Sequence, residues 1–210
     1  MELHTLSLPP LGANCYLLKL PGRPDGLVID PGGAPETVAN ACRELGMTPA
    51  AILLTHGHFD HVGGVEDLLK TYPGLPIYAH PGDLSQPFAP SDLFPLASAS
   101  LSSWKALHDN ETLSIAEIEL HVFCTPGHSK GSVVFLAEDY LFTGDTLFCG
   151  SMGRTDFPGG DVDEMLTSLR RLWALGEQEG DFAVCPGHDR STTLETERVH
   201  NPYFREAMGR

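Results

Sequence analysis

"AILLTHGHFDHVGG", residues 51–64, runs an apolar, β-forming segment straight into three histidines and an aspartate within six positions. A single histidine beside an apolar run is ordinarily a core or surface side chain with its hydrogen bonds satisfied. Four ligand-type side chains, His56, His58, Asp60 and His61, ask for another explanation. Residues two apart on an extended chain project to the same side, so His56 and His58 can face one ion while Asp60 and His61, at the turn that follows, face a second. The stretch predicts a strand that ends in a metal site.

A catalytic ion held by two histidines wants a third protein ligand and an open position, and a second ion wants ligands of its own. Three later segments supply them: "TPGHSKGS" places His128 after an apolar strand, "LFTGDTLF" does the same for Asp145, and "AVCPGHD" for His188. Each follows one form, an apolar strand, a glycine-containing turn and then a ligand-type side chain. Strand ends of this kind converge on one edge of a sheet, and the glycines at 127, 144 and 187 let the backbone come close to an ion. His4, His80, His108, His121 and His200 lack that context and are expected to be structural.

The chain has 210 residues, 41% of them hydrophobic, enough for a substantial core. Its 13 Lys and Arg face 28 Asp and Glu, a formal charge of −15, which repels phosphate backbones and anionic membranes. No nucleic-acid or membrane partner is expected. The N-terminus shows no basic stretch followed by an apolar run, and no apolar segment approaches the roughly 20 residues of a membrane helix, so the chain reads as cytoplasmic. Five widely spaced cysteines without a CxxC argue against both a disulfide framework and a thiolate site.

Short apolar runs alternate with amphipathic segments. "NCYLLKL", "GLVID", "AAILLT", "PIYAH", "IELHVF", "SVVFLA" and "FAVC" read as strands. Helices are expected over "APETVANACREL", "VEDLLKTY", "DVDEMLTSLRRLWAL", which should stop at Gly176, and "TTLETERVH", with Thr192 and Glu195 spaced as a capping box. The pattern describes one α/β domain over residues 1–210 without a linker. Residues 81–104, rich in Pro and Ser, show no period and suit either a lid over the site or a long surface connection.

The succession HGHFDH, PGH, GDT and PGH resembles the metallo-β-lactamase fold superfamily along nearly the whole chain. Within it, "GANCYLL", "VIDPGG", "GDTLFCGSMGRTDFPGGD" and "TTLETERVHNPYF" are similar to the glyoxalase II-type hydrolases, especially their short single-domain bacterial forms. The resemblance implies a four-layer αββα sandwich with the site at the sheet edges. It also implies that His56, His58 and His128 hold one ion, that Asp60, His61 and His188 hold the other, and that Asp145 bridges them. Asp60 and Asp145 are then the catalytic carboxylates. Two departures from the family pattern are read: the C-terminal helical domain that holds glutathione in full-length glyoxalase II is expected to be missing, and Ser129 and Lys130 follow His128 where a Thr is common.

Imidazole and carboxylate ligands suit two divalent ions, Zn first, with Fe or Mn as alternatives. Two ions about 3.5–4 Å apart can lower the pKa of a bridging water toward about 7 and so provide hydroxide without a general base from the protein. A small-molecule thioester is the expected substrate, because its thiolate, of parent pKa about 8.5, leaves without a proton. Arg154, close to Asp156, and Lys130 are candidates for binding an anionic part of it. The rival expectations are a mononuclear-iron persulfide dioxygenase using His56, His128 and Asp145, and a lactonase or other hydrolase of the same fold.

Overall fold

The computed structural model describes residues 1–84 and 104–210. The first sheet takes its strands in chain order: β1 (Glu2–Leu8), β2 (Ala13–Lys19), β3 (Asp25–Ile29), β4 (Thr48–Leu53), β5 (Ile77–Ala79) and β6 (Trp104–Ala106). The β1–β2 and β2–β3 pairs are antiparallel and the rest parallel. Helices α1 (Pro35–Glu44), α2 (Phe59–Val62), α3 (Val65–Thr71) and α4 (Pro81–Leu84) belong to this half.

The second sheet holds β7 (Thr112–Ile115), β8 (Ile118–Cys124), β9 (Val133–Ala137), β10 (Tyr140–Gly144), β13 (Ala183–Pro186) and β14 (Thr192–Thr193), in the order β14-β13-β10-β9-β8-β7. A small hairpin, β11 (Leu147–Phe148) and β12 (Ser151–Met152), follows β10. Helices α5 (Val162–Glu179), α6 (Leu194–His200) and α7 (Pro202–Ala207) complete the chain.

Side-chain alternation turns these elements into four layers. Along β2, Tyr16 and Leu18 face the second sheet, where they join Val122, Phe135 and Phe142, while Cys15 and Leu17 point the other way, into a core shared with Val38 and Cys42 of α1 and Leu68 of α3. Likewise Val134 and Leu136 of β9 and Val184 of β13 pack under Met165, Leu169 and Leu172 of α5 and Phe204 of α7. Both sheets are thus covered on both faces, which is why β2, β3, β4 and β9 read as nearly continuous apolar runs. The architecture is the αββα sandwich that the sequence implied. Among the described residues no helix is long and apolar enough to cross a membrane.

Two expected helix boundaries move. Helix α5 continues through Gly176 to Glu179. A Cβ at Gly176 would lie 3.0 Å from Leu194 Cδ2 and 3.1 Å from Arg198 Cδ, so this glycine serves the close approach of α6 and does not end the helix. Helix α6 is capped by Thr193, whose Oγ1 accepts the Thr196 N–H at 3.2 Å, and not by Thr192 with Glu195. Thr192 instead donates to Glu197 Oε1 at 2.8 Å. Of the segment 81–104, residues 81–84 form α4 and Trp104 begins β6, while 85–103, where a lid or connection was expected, lie outside the described residues.

Phe135 is fully buried between the two sheets. Truncation there opens a cavity that four docked layers cannot collapse to fill. Phe135→Ala should cost about 3–5 kcal/mol in urea denaturation with an unchanged dependence on denaturant.

Candidate metal centre

Strand direction decides where the polar residues meet. In the second sheet β8 is antiparallel to β9, β9 is antiparallel to β10, and β10 is parallel to β13, so β8, β10 and β13 end on the same edge. His128, Asp145 and His188 lie just beyond those ends. In the first sheet β3 and β4 run parallel and end in Asp30 and in the Thr55–His58 segment. Asp60 and His61 sit on the short helix α2 that follows.

Three groups of donor atoms result. The ligand atoms of His56, His58 and His128 lie within 4.8 Å of one another, as do those of Asp60, His61 and His188 and those of Asp30, His56 and His61. Asp145 stands between the first two groups: its Oδ2 is 3.4 Å from His128 Nε2 and 3.7 Å from His188 Nε2, and its Oδ1 is 3.4 Å from His61 Nε2. His58 Nδ1 is 2.7 Å from His128 Nε2, and His188 Nε2 is 3.1 Å from Asp60 Oδ2. All seven residues predicted as ligands are therefore gathered in one place. The five remaining histidines join none of these groups.

The outward nitrogens explain how the inward ones are aimed. The His128 Nδ1–H donates to the Arg154 carbonyl at 2.7 Å, and His61 Nδ1–H to Asp30 Oδ2 at 3.0 Å. Thr55 Oγ1 donates to Asp30 Oδ2 at 2.6 Å and can then accept from His56 Nδ1–H at 3.1 Å. In each ring it is Nε2 that is left to face the cluster, the nitrogen a cation would take. His56 Nε2 and Asp145 Oδ1 are buried without a hydrogen bond among the described residues. Buried polar atoms are costly to leave so, and this donor set of imidazole and carboxylate fits a divalent cation.

The two halves hold protons differently. Burial pulls His56 well below the ordinary imidazole range, helped by the neighbouring imidazoles, and burial together with His128 brings His58 down to about 4. Burial acts on His61 in the same direction, but Asp145, Asp30 and Asp60 outweigh it and raise His61 to about 9. The hydrogen bond to Asp60 raises His188. His56 and His58 thus hold no second proton at neutral pH, whereas a cation bound by Asp60, His61 and His188 would displace protons.

Sequence reasoning missed the support. Asp30 also accepts the Thr55 N–H at 2.8 Å, and its residue holds a left-handed φ of 52°. "VIDPGG" has the same strand, aspartate and glycine-turn form as the segments around Asp145 and His188, and so carried the signal. Asn14 Nδ2 binds the Pro186 and Asp189 carbonyls at 3.0 and 2.9 Å, and Tyr16 Oη binds the Pro186 carbonyl at 2.7 Å, which pins the His188 turn. Arg154 is exposed and paired with Asp156 at 2.6 and 2.7 Å. Its guanidinium lies 3.9 Å from the Phe157 ring, which meets His58 edge-on at 5.6 Å, so the pair stands at the rim of the cluster. Lys130 is exposed beside Gly159 on the same rim.

A family model described as the metallo-beta-lactamase superfamily matches residues 8–188. The chain is similar to the solved BLEG-1 B3 metallo-beta-lactamase, with 34% identity, coverage of 97% of this chain and 99% of that one, and a TM-score of 0.85. It is also similar to TTHA1623 in a di-iron-bound form, with 36% identity, 95% and 99% coverage and a TM-score of 0.81. Hydroxyacylglutathione hydrolase of Edwardsiella ictaluri is 33% identical over 184 residues, which span 88% of this chain but 65% of that enzyme's length.

A Cβ at Gly187 would come within 2.2 Å of Asp145 Oδ1 and 2.8 Å of His61 Cε1. Gly187→Ala should leave a folded protein by circular dichroism and yet lower the divalent metal per chain found by elemental analysis. Native metal content in that variant would show that the turn does not bear on the cluster.

Proposed function

Because the chain belongs to the metallo-β-lactamase superfamily, we propose that it is a dinuclear metal-dependent hydrolase acting on thioesters of the hydroxyacylglutathione kind. The observation that carries this reading is the Asp145 carboxylate, set between the two groups with its oxygens 3.4 Å from His128 and from His61. His56, His58 and His128 would hold one cation, Asp60, His61 and His188 the second, and Asp145 both. The di-iron form of TTHA1623 supports two ions, and their identity here, Zn or Fe, is for elemental analysis to decide.

When bound, such ions supply a hydroxide nucleophile at neutral pH and polarise the carbonyl that it attacks. The chain's own residues do the rest. Asp30 and the Arg154 carbonyl fix the His61 and His128 rings, so the donors do not reorganise as charge develops. Phe157, against His58, offers an apolar wall for an acyl group. Arg154, held by Asp156, and Lys130 present positive charge at the rim for an anionic part of the thiol. A thiolate leaves without protonation, so the reaction asks no general acid of the protein.

The likeness to BLEG-1 supports a second reading, hydrolysis of a β-lactam by the same cluster. Comparison of kcat/KM for S-lactoylglutathione with that for a chromogenic cephalosporin separates the two. The thioester should be the better substrate, and its cleavage should persist without oxygen and stop on chelation. Turnover of the cephalosporin alone would put the second reading first. A protein with a single iron that consumes oxygen with glutathione persulfide would overturn both.

Within the cluster, Asp145→Ala should lose most bound metal. His188→Ala should lower the stoichiometry from two ions toward one. Full turnover with two ions in either variant would contradict the proposed ligand role of that residue.

A further inference from the structure

Asp83 belongs to neither proposed ligand group, yet its carboxylate is buried, at 8% exposure, and accepts three hydrogen bonds from the turns that carry the first group. Its Oδ2 accepts the Gly57 N–H at 2.8 Å and the Ser129 hydroxyl at 2.7 Å, and its Oδ1 accepts the Gly131 N–H at 2.6 Å. Gly57 lies between His56 and His58, and Ser129 follows His128 directly. The three donors are neutral, so the negative charge meets no opposite charge through these bonds. Burying a carboxylate costs desolvation that these three bonds must offset.

Two glycines admit it. A Cβ at Gly57 would come within 2.9 Å of Asp83 Cβ, and one at Gly131 within 2.5 Å of Asp83 Cγ. Ser129 is held in turn, its hydroxyl also lying 2.8 Å from Ser132 Oγ. The hydroxyl after His128, where the sequence departs from the common Thr, thus points to Asp83.

We propose that Asp83 is a positioning residue for the first cation: it fastens the His56–His58 turn to the His128 turn and sets a buried carboxylate against the two turns that carry the three imidazoles. The proposal rests on the metal-ligand reading above. It accounts for the charge as well as the bonds, because a cation held by His56, His58 and His128 would gain from an anion nearby that is not itself a ligand.

The test is cation affinity in the intact chain, with Zn²⁺ in competition with a chromophoric chelator and Co²⁺ as a spectroscopic probe. In a His188→Ala background the three-histidine group is the complete one. There Asp83→Asn, which turns one acceptor into a donor facing a donor, should lower Zn²⁺ affinity about 10–100-fold and change the Co²⁺ ligand-field bands. Ser129→Ala, a milder change that serves if the first variant does not fold, should act in the same direction, and Ser129→Thr should restore affinity. If Asp83→Asn and Ser129→Ala lower thermal stability but bind Zn²⁺ with unchanged affinity and an unchanged Co²⁺ spectrum, Asp83 is structural and the proposal falls. If the unsubstituted protein binds neither cation, the metal reading itself falls and takes this proposal with it.

Discussion

The constraint on which the rest of the structure depends is the crowding of imidazoles and carboxylates, most of them shut off from water, at the joint edge of two sheets. Such groups have few ways to be stable together. They can share protons, as His61 does with the carboxylates around it, or they can share cations. Everything near the edge serves to keep them in register: strands that end at one level, turns without side chains where the ligands approach, and outward nitrogens tied to fixed acceptors.

The αββα layering makes this arrangement affordable. Because each sheet is buried on both faces, strand ends are held by apolar packing that owes nothing to the polar residues beyond them. The C-terminal helices extend that support past Asp145. Glu197, buried in α6, accepts the Gly150 N–H at 2.7 Å and Asn201 Nδ2 at 2.9 Å, and Asn201 Nδ2 also binds the Ser151 carbonyl at 2.9 Å. The β11–β12 hairpin is thereby fastened to the tail, and the rim residues Arg154 and Phe157 follow from that hairpin.

Much of this was legible in the sequence because its signals are local. A strand is written in a run of five or six apolar residues, and a turn with a polar side chain in the three or four residues after it, so the strands and the seven residues gathered at their ends could be read from local pattern, while the four layers were implied by the family resemblance. Asp83 could not. It sits in a run rich in Pro and Ser with no period, and its partners lie 26, 46 and 48 positions away. Gly176 misled for the same reason: the sequence shows a helix breaker, while its meaning lies in Leu194, which packs over it. The cap at Thr193 rather than Thr192 turned on Glu197, which draws the Thr192 hydroxyl inward.

The cluster is also built from parts far apart in the chain. His61 and His188 are 127 residues apart in the chain, and their rings meet only after the two sheets have docked. The donor set is therefore completed only where the two sheets meet. Uptake of the cation would therefore select the finished native state rather than nucleate it. Protein that has reached the native topology would gain stability from the ion in proportion to the logarithm of its free concentration, and misassembled chains, which keep only the local donors of His56–His61, would gain less. The same edge that would serve chemistry would then favour the finished fold over its misassembled competitors.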